Sequence, residues 1–324
     1  MINVEKSDKT EFLTFDLAMD SVVKEIDRIL RTAPLIVREY TKHLAASQGK
    51  NIRALSLITC SENKDGLIHK NAVKIAAAVE ILHLATLVHD DIIDDADIRR
   101  GELTLQKKYG KKAAVICGDY LLSLALKLTG TSSNKEDYID LKIPDYMSKI
   151  CLGELNQHIN NGNLDLTELK YMKIISGKTA ALFEASFYAG AVLSKCDDKT
   201  LKKYMKLGEY TGMILQLTDD CMDFETTKDI AKKPVQSDFE QGVVTLPIIY
   251  AFKNASGFKE RLKDKKVSVK EINEVVQKSG GLKYTHEVAK KYYEKSKQII
   301  DKLETTQDKK LRLNLILDKV YRLS

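Results

Sequence analysis

The sequence predicts an all-α protein, on three observations. Trp is absent, Pro occurs 4 times and Gly 16 times in 324 residues, while Lys, Leu, Ile and Ala abound; that is a helix-forming composition. Apolar residues recur at helical spacing along most of the chain, and no stretch shows the period-two alternation of a half-buried strand. No linker breaks the pattern, and the only internal repeat is an aspartate-rich stretch that occurs twice. Residues 1–324 are therefore expected to form a single domain.

Composition also excludes some function classes. The net charge of +6 suits anionic diphosphates or an anionic membrane surface, with a solvated lysine surface as the plainer reading. No basic stretch is interleaved with aromatics, which argues against nucleic acid. Cys60, Cys117, Cys151, Cys196 and Cys221 are odd in number and lack CxxC spacing, so they read as thiols of a reducing compartment. There is no signal-peptide pattern. The most apolar run, Val73 to Val88, is broken by Lys74, Glu80 and His83, so no transmembrane segment is expected. The expected location is cytoplasmic.

Taken in order, residues from about 11 to 46 read as amphipathic helices broken near Pro34. Gln48-Gly49-Lys50-Asn51-Ile52-Arg53 follows, where a glycine and two bases three apart can aim at one anion. Two surface bases would be the bland alternative. Ser61 to Gly66 is a loop. From about Asn71 to Ile93 the chain is a helix apolar almost all round, which belongs at the centre of a bundle. His83 lies roughly two turns before its acidic end; a lone histidine there is more often a satisfied core residue than a ligand. Asp119 to about Thr129 is the next helix, then a loop at Gly130 to Asn134. Pro144 suits a helix start, and the spacing continues to Asn160. Leu166 to about Leu193 carries Lys178 and Thr179 in its middle. Leu201 to about Glu225 carries Gly208 and Gly212, one turn apart, where two helices can approach closely. A polar loop, Asp229 to Gly242, holds Lys232, Lys233 and Pro234, and the lysine-rich remainder returns to helix.

Chemistry concentrates at two helix ends. His89-Asp90-Asp91-Ile92-Ile93-Asp94-Asp95-Ala96-Asp97-Ile98-Arg99-Arg100-Gly101 closes the apolar helix. Asp90 and Asp94 share one face, as do Asp91 and Asp95, and like charges at that spacing repel. A cation is expected between them, and hard oxygen ligands suit Mg²⁺. A solvated acidic helix end is the competing reading. Gln216-Leu217-Thr218-Asp219-Asp220-Cys221-Met222-Asp223 repeats the pattern, with Asp219 and Asp223 at i, i+4. Two such ends could hold several Mg²⁺ ions gripping a diphosphate.

These residues, with Gly118-Asp119-Tyr120-Leu121-Leu122, Gly153-Glu154 and Gln157, Lys178-Thr179-Ala180 and Thr245-Leu246-Pro247, resemble the polyprenyl synthetase family, the all-trans isoprenyl diphosphate synthases. The matches run in family order from about Gly49 to Pro247, and the likeness is to medium- and long-chain catalytic subunits of the hexaprenyl and heptaprenyl kind. The resemblance implies a helical bundle of the isoprenoid synthase type with a central active-site cavity. It also implies Mg-dependent condensation of isopentenyl diphosphate with an allylic diphosphate. Asp90, Asp91, Asp94, Asp219, Asp220 and Asp223 would hold about three Mg²⁺ ions. Arg99, Lys178, Thr179, Gln216 and Lys233 would hold the allylic diphosphate. Lys50, Arg53, His83 and Arg100 would hold isopentenyl diphosphate. The departing diphosphate would accept the proton. The implied assembly is a homodimer, or a heterodimer with a small regulatory subunit, with transient membrane-surface contact for product release.

The chain departs from the family pattern at Asn51 (usually basic), Ala54 (usually proline), Lys232 and Gln236 (often glycines) and Val243 (often lysine). A class I terpene cyclase shares the first aspartate set but not the second. An HD-type phosphohydrolase needs further His and Asp ligands. A non-catalytic subunit on this fold would have lost one set. Ala85 and Thr86, about one turn before Asp90, are small where short-chain synthases carry an aromatic ring. The expected product is therefore a medium-to-long chain of quinone side-chain size. The alternatives are a farnesyl or geranylgeranyl diphosphate synthase, or a subunit active only with a partner.

Overall fold

The structure is a computed structural model. It describes residues 11–46, 49–130, 145–225, 239, 241–264 and 267–322, with only the backbone at 269. The expected loop from Thr131 to Asn134 and the expected helix start at Pro144 lie outside the described residues. The chain is all-α, as its composition requires. Its contacts fall into two compact units, one formed by Met1–Pro144, Ala185–Met205 and Leu303–Ile316, the other by Asp145–Glu184, Lys206–Lys302 and Leu317–Ser324.

In the first unit, α1 (Phe15–Arg31) buries Ala18, Val22, Ile26, Ile29 and Leu30, one face at helical spacing. Asp16 in its first turn and Arg28 and Arg31 in its last complement the helix dipole. After Pro34 comes α2 (Leu35–Ala46), and α3 (Ile52–Ser61) follows the Gly49–Asn51 turn. The long helix α4 (Asn71–Ile93) packs against α1, α3 and α6 (Lys111–Gly130), with α5 (Leu105–Tyr109) between them in sequence. By length and average composition α4 and α6 could each cross a membrane. The sequence expectation rested on uninterrupted apolarity and did not see this. Packing on α1, α3 and α6 buries 50 % of the apolar window of α4.

Helix α6 begins at Lys111, eight residues before the expected start at Asp119. Gly118 looked like a boundary, but it sits inside the helix because α4 comes close: a Cβ there would lie 2.3 Å from His89 Nε2. Four two-residue strands were also missed, each too short to show alternation. β1 (Phe12–Leu13) pairs with β2 (Ile68–His69), and β3 (Ile98–Arg99) with β4 (Glu102–Leu103). The β3–β4 turn has positive φ at both Arg100 (55°) and Gly101 (85°), the signature of a type I′ hairpin.

In the second unit, Asp145 caps α7 (Tyr146–Ile159) through Ser148 N at 3.0 Å. Thr167 caps α8 (Glu168–Ile175), which passes through a π-helical turn, Ser176–Ala180, into α9 (Ala181–Leu193). The chain then enters α10 (Asp198–Glu225), whose part from Lys206 onward belongs to this unit. The helices α11 (Leu246–Asn254), α12 (Phe258–Lys263), α13 (Val269–Lys278) and α14 (Gly281–Asp301) follow in this unit, and α15 (Gln307–Tyr321) belongs to the first unit up to Ile316 and to this one from Leu317. Tyr171, Ile174, Ile175, Leu217, Phe224, Leu246 and Val276 share the core of this unit. The five cysteines are free, and three of them are buried. Burial pushes the Cys60 thiol up to about 12 and that of Cys117 to about 11, so both stay protonated and inert.

Candidate active site

The first aspartate set ends α4 as expected. Asp90 and Asp91 lie in its last turn and Asp94 is the C-cap, its N–H bonded to Asp90 O at 2.8 Å. Carboxylates at a helix C-terminus face the negative end of the dipole, which strengthens their demand for a cation. At Asp91 that demand is met by Arg99, whose Nε lies 2.6 Å from Oδ1 with the carboxylate side chain 8 % exposed. Asp95 and Asp97 point outward and pair with Lys111 and Lys107 at 2.7 and 2.9 Å. These two are the solvated acidic end that the bland reading described.

The hairpin turn separates the two arginines. Arg99, on β3, reaches Asp91, while Arg100, at the positive-φ corner, reaches the other way toward Gly49. A Cβ on Gly49 would stand 2.7 Å from the Arg100 guanidinium, so the glycine makes room for it. Around the half-buried His83 lie Arg53, Arg100 and Arg99. Burial first, and then the field of these three cations, pull the imidazole well below its ordinary pKa. Glu80, one turn earlier, is pushed up by burial and held partly in check by Arg53. Thus Gly49, Arg53, His83 and Arg100 are brought together, while Lys50 is exposed to solvent.

In the second unit Asp219, Asp220 and Asp223 occupy the last two turns of α10. Asp220 is 1 % exposed and accepts hydrogen bonds from the Tyr171 hydroxyl and, at 2.7 Å, from Gln216 Nε2. Asp219 pairs with Arg322. The Thr179 hydroxyl donates to Gln216 Oε1 at 2.6 Å, and Lys178 Nζ meets Glu154 at 3.0 Å. Lys178 and Thr179 sit in the π-helical turn, where an inserted residue re-aims side chains and which recurs at functional sites. Glycines clasp that turn from two sides. A Cβ on Gly153 of α7 would come 2.2 Å from Lys178 N, and one on Gly212 of α10 would come 2.4 Å from Ala180 Cα. Thr179, Gln216 and Asp220 form one hydrogen-bonded chain, and Thr179 follows Lys178 of the Lys178–Glu154 pair in sequence. Lys233, with Lys232, Pro234 and Gln236, lies outside the described residues, as does Gln48.

Among the described residues no three His, Cys, Asp or Glu side chains converge as a self-sufficient metal cage. The donors do suit Mg²⁺, which takes one or two carboxylates and fills the rest of its shell with water and phosphate oxygens. Asp91, Asp219 and Asp220 each hold a positively charged or hydrogen-bond-donating partner, Arg99, Arg322 and the Tyr171–Gln216 pair respectively. Sequence reasoning missed Glu80, Tyr171, Glu154 as the partner of Lys178, and Arg322. Glu80 left a signal, three residues before His83 on the same helix face, and Glu154 stood in the Gly153-Glu154 motif without its partner; Tyr171 and Arg322 meet theirs across long sequence separations.

Each unit thus carries a helix that ends in aspartates, with Arg99 on one set and Arg322 on the other. Comparison with known proteins is specific. Residues 34–279 match the model of the polyprenyl synthetase family, so the chain belongs to that family and is a prenyltransferase. It is 33 % identical over 298 residues to heptaprenyl diphosphate synthase component 2 of Bacillus subtilis, covering 90 % of this chain and 84 % of that one. It is 32 % identical over 296 residues to geranylgeranyl diphosphate synthase of Saccharolobus solfataricus, covering 86 % and 88 %. The fold matches that of a polyprenyl synthase from Caulobacter crescentus complexed with calcium and isoprenyl diphosphate, with a TM-score of 0.83, 28 % identity, and 95 % and 96 % of the two chains covered.

Proposed function

We propose that this prenyltransferase condenses isopentenyl diphosphate with an allylic diphosphate, using Mg²⁺, to build a medium-to-long all-trans chain of quinone side-chain size. The observation that carries this reading is the arrangement at α4. Asp91 and its neighbours form the carboxylate end of α4, while Arg53 of α3 and Arg100 of the β3–β4 turn lie near His83, two turns earlier on α4. One arrangement offers hard ligands to a metal; the other offers charge-assisted donors to a diphosphate.

Bound Mg²⁺ would supply Lewis-acid neutralisation of the departing diphosphate, with Asp90, Asp91 and Asp94 of the first unit and Asp219, Asp220 and Asp223 of the second as its candidate ligands. Arg99, Lys178, Thr179 and Gln216 hold and orient the allylic diphosphate in this reading. Arg53 and Arg100 hold isopentenyl diphosphate, and a neutral His83 adds a hydrogen bond without further charge.

The helix preceding Asp90 supports the chain length. Leu82, Thr86 and Asp90 lie one turn apart on a half-open face, while Ala77, Ile81, Ala85 and Val88 are buried. The growing tail runs along that open face, where Thr86 is too small to stop it.

The testing experiment incubates the pure chain with Mg²⁺, isopentenyl diphosphate and farnesyl diphosphate and identifies the products. Release of diphosphate with longer all-trans products is expected, abolished by EDTA. Asp90→Asn or Asp219→Asn should lower turnover by about 100-fold or more through the weakened metal clamp. Undiminished turnover in either variant would overturn the metal assignment. A second reading, that the chain works as one component of two, is favoured by the component 2 name of its Bacillus relative. Turnover that appears only when a partner chain is added would establish it.

A further inference from the structure

The first turn of α3 presents N–H groups that no residue within the helix can bond. Asn51, at its N-cap, has φ 48° and makes no side-chain cap bond. Glu80 of α4 serves instead: its Oε1 accepts from Ala54 N at 2.8 Å, and the Arg53 N–H also bonds to this carboxylate. A carboxylate at a helix N-terminus sits at the positive end of the dipole, the place where helices commonly bind phosphate. The same carboxylate lies in the field of the Arg53 and Arg100 guanidiniums. Gly49, just ahead of this turn, gives way to Arg100, and His83 follows Glu80 by one turn on the same face.

We propose that Glu80 is a positioning residue for diphosphate recognition: it fills the helix-N-terminal anion site of α3, fixes the turn that carries Arg53, and leaves the Arg53, Arg100 and His83 side chains to take the substrate. The proposal rests on the reading of those three residues as the isopentenyl diphosphate site. Without Glu80 the first turn of α3 has no cap, Arg53 loses its anchored backbone, and an incoming diphosphate can settle on the bare N–H groups in an unproductive position.

The experiment measures KM for each substrate and kcat in Glu80→Ala, Glu80→Gln and Arg53→Ala, with isopentenyl diphosphate binding to each by calorimetry. Glu80→Ala should raise the KM for isopentenyl diphosphate by about tenfold or more, with a much smaller change in the allylic KM. Glu80→Gln keeps an acceptor oxygen for Ala54 N–H and should recover most of that loss. The calorimetric affinity should follow the same order, which keeps the test readable if turnover needs a partner chain. If Glu80→Ala fails to fold, Glu80→Asp withdraws the carboxylate by one methylene and should show the same selective loss. Equal KM increases for both substrates, or an unchanged isopentenyl diphosphate KM and affinity, would overturn the proposal. Arg53→Ala separates the two levels: if it leaves that affinity intact, the site reading fails; if it weakens binding while Glu80→Ala does not, only the role of Glu80 fails.

Discussion

His83 shows how a single side chain reports on its surroundings. Burial and three guanidiniums lower its pKa, so below its ordinary value of about 6.5 the unfolded chain holds a proton that the folded chain refuses. The unfolded state then binds more protons, and the stability of the ligand-free protein should fall as pH drops below about 6.5. Thermal unfolding across that range should show the decline, and His83→Gln should flatten it; a profile unchanged by the substitution would mean that the cations do not act on His83. Arg99 and Arg100 are adjacent in sequence yet belong to different groups, since a type I′ turn sends one to Asp91 and the other toward Gly49. Arg99→Ala should therefore raise chiefly the allylic KM and Arg100→Ala chiefly that of isopentenyl diphosphate, each by about tenfold for the loss of a charge-assisted contact. Equal losses for both substrates in both variants would contradict that division.

At the scale of the element, α4 carries most of the argument. Its two faces make opposite predictions for two neighbouring positions. Thr86→Phe places a ring on the half-open face and should shorten the products toward farnesyl or geranylgeranyl length while ionisation continues. Ala85→Phe forces the same ring into a site only 2 % exposed and should cost on the order of 1–3 kcal/mol of stability by overpacking. Product chromatography and thermal unfolding of the pair separate the effects; full-length product from Thr86→Phe would place the tail elsewhere. Much of α4 was legible beforehand, because its apolar run and acidic end are local properties of the chain. Which of Ala85 and Thr86 faces the open side was not legible: a helix apolar on nearly every side has no amphipathic phase to read. The π-helical turn at Lys178 and Thr179 was hidden for a related reason. Gly153 and Gly212 let two other backbones close on it, and neither glycine is near it in sequence.

At the scale of the whole molecule, each unit leaves apolar side chains uncovered. Val115, Ile116 and Leu126 are exposed on α6, and Leu152, Leu155 and Ile159 on α7, where the spacing forms a stripe. Exposed apolar stripes of this kind are where another chain can dock, and we propose that a second copy of the chain or a partner chain covers one of them. Ile116→Lys or Leu155→Lys should lower the solution mass measured by sedimentation, and an unchanged mass would acquit that face. What the sequence determined by itself was whatever depends on neighbours along the chain. Composition and 3.6-residue spacing set the helices; two clusters of aspartates at helix ends, with the arginines after the first, set the class of chemistry. Only the tertiary structure decided which partner each of these groups meets: Arg99 on Asp91, Arg322 on Asp219, Tyr171 on Asp220, Glu80 on the first turn of α3. The reason is physical. Helix formation and local charge repulsion act over a few residues, whereas a hydrogen bond or ion pair between distant segments exists only once packing has brought their backbones together.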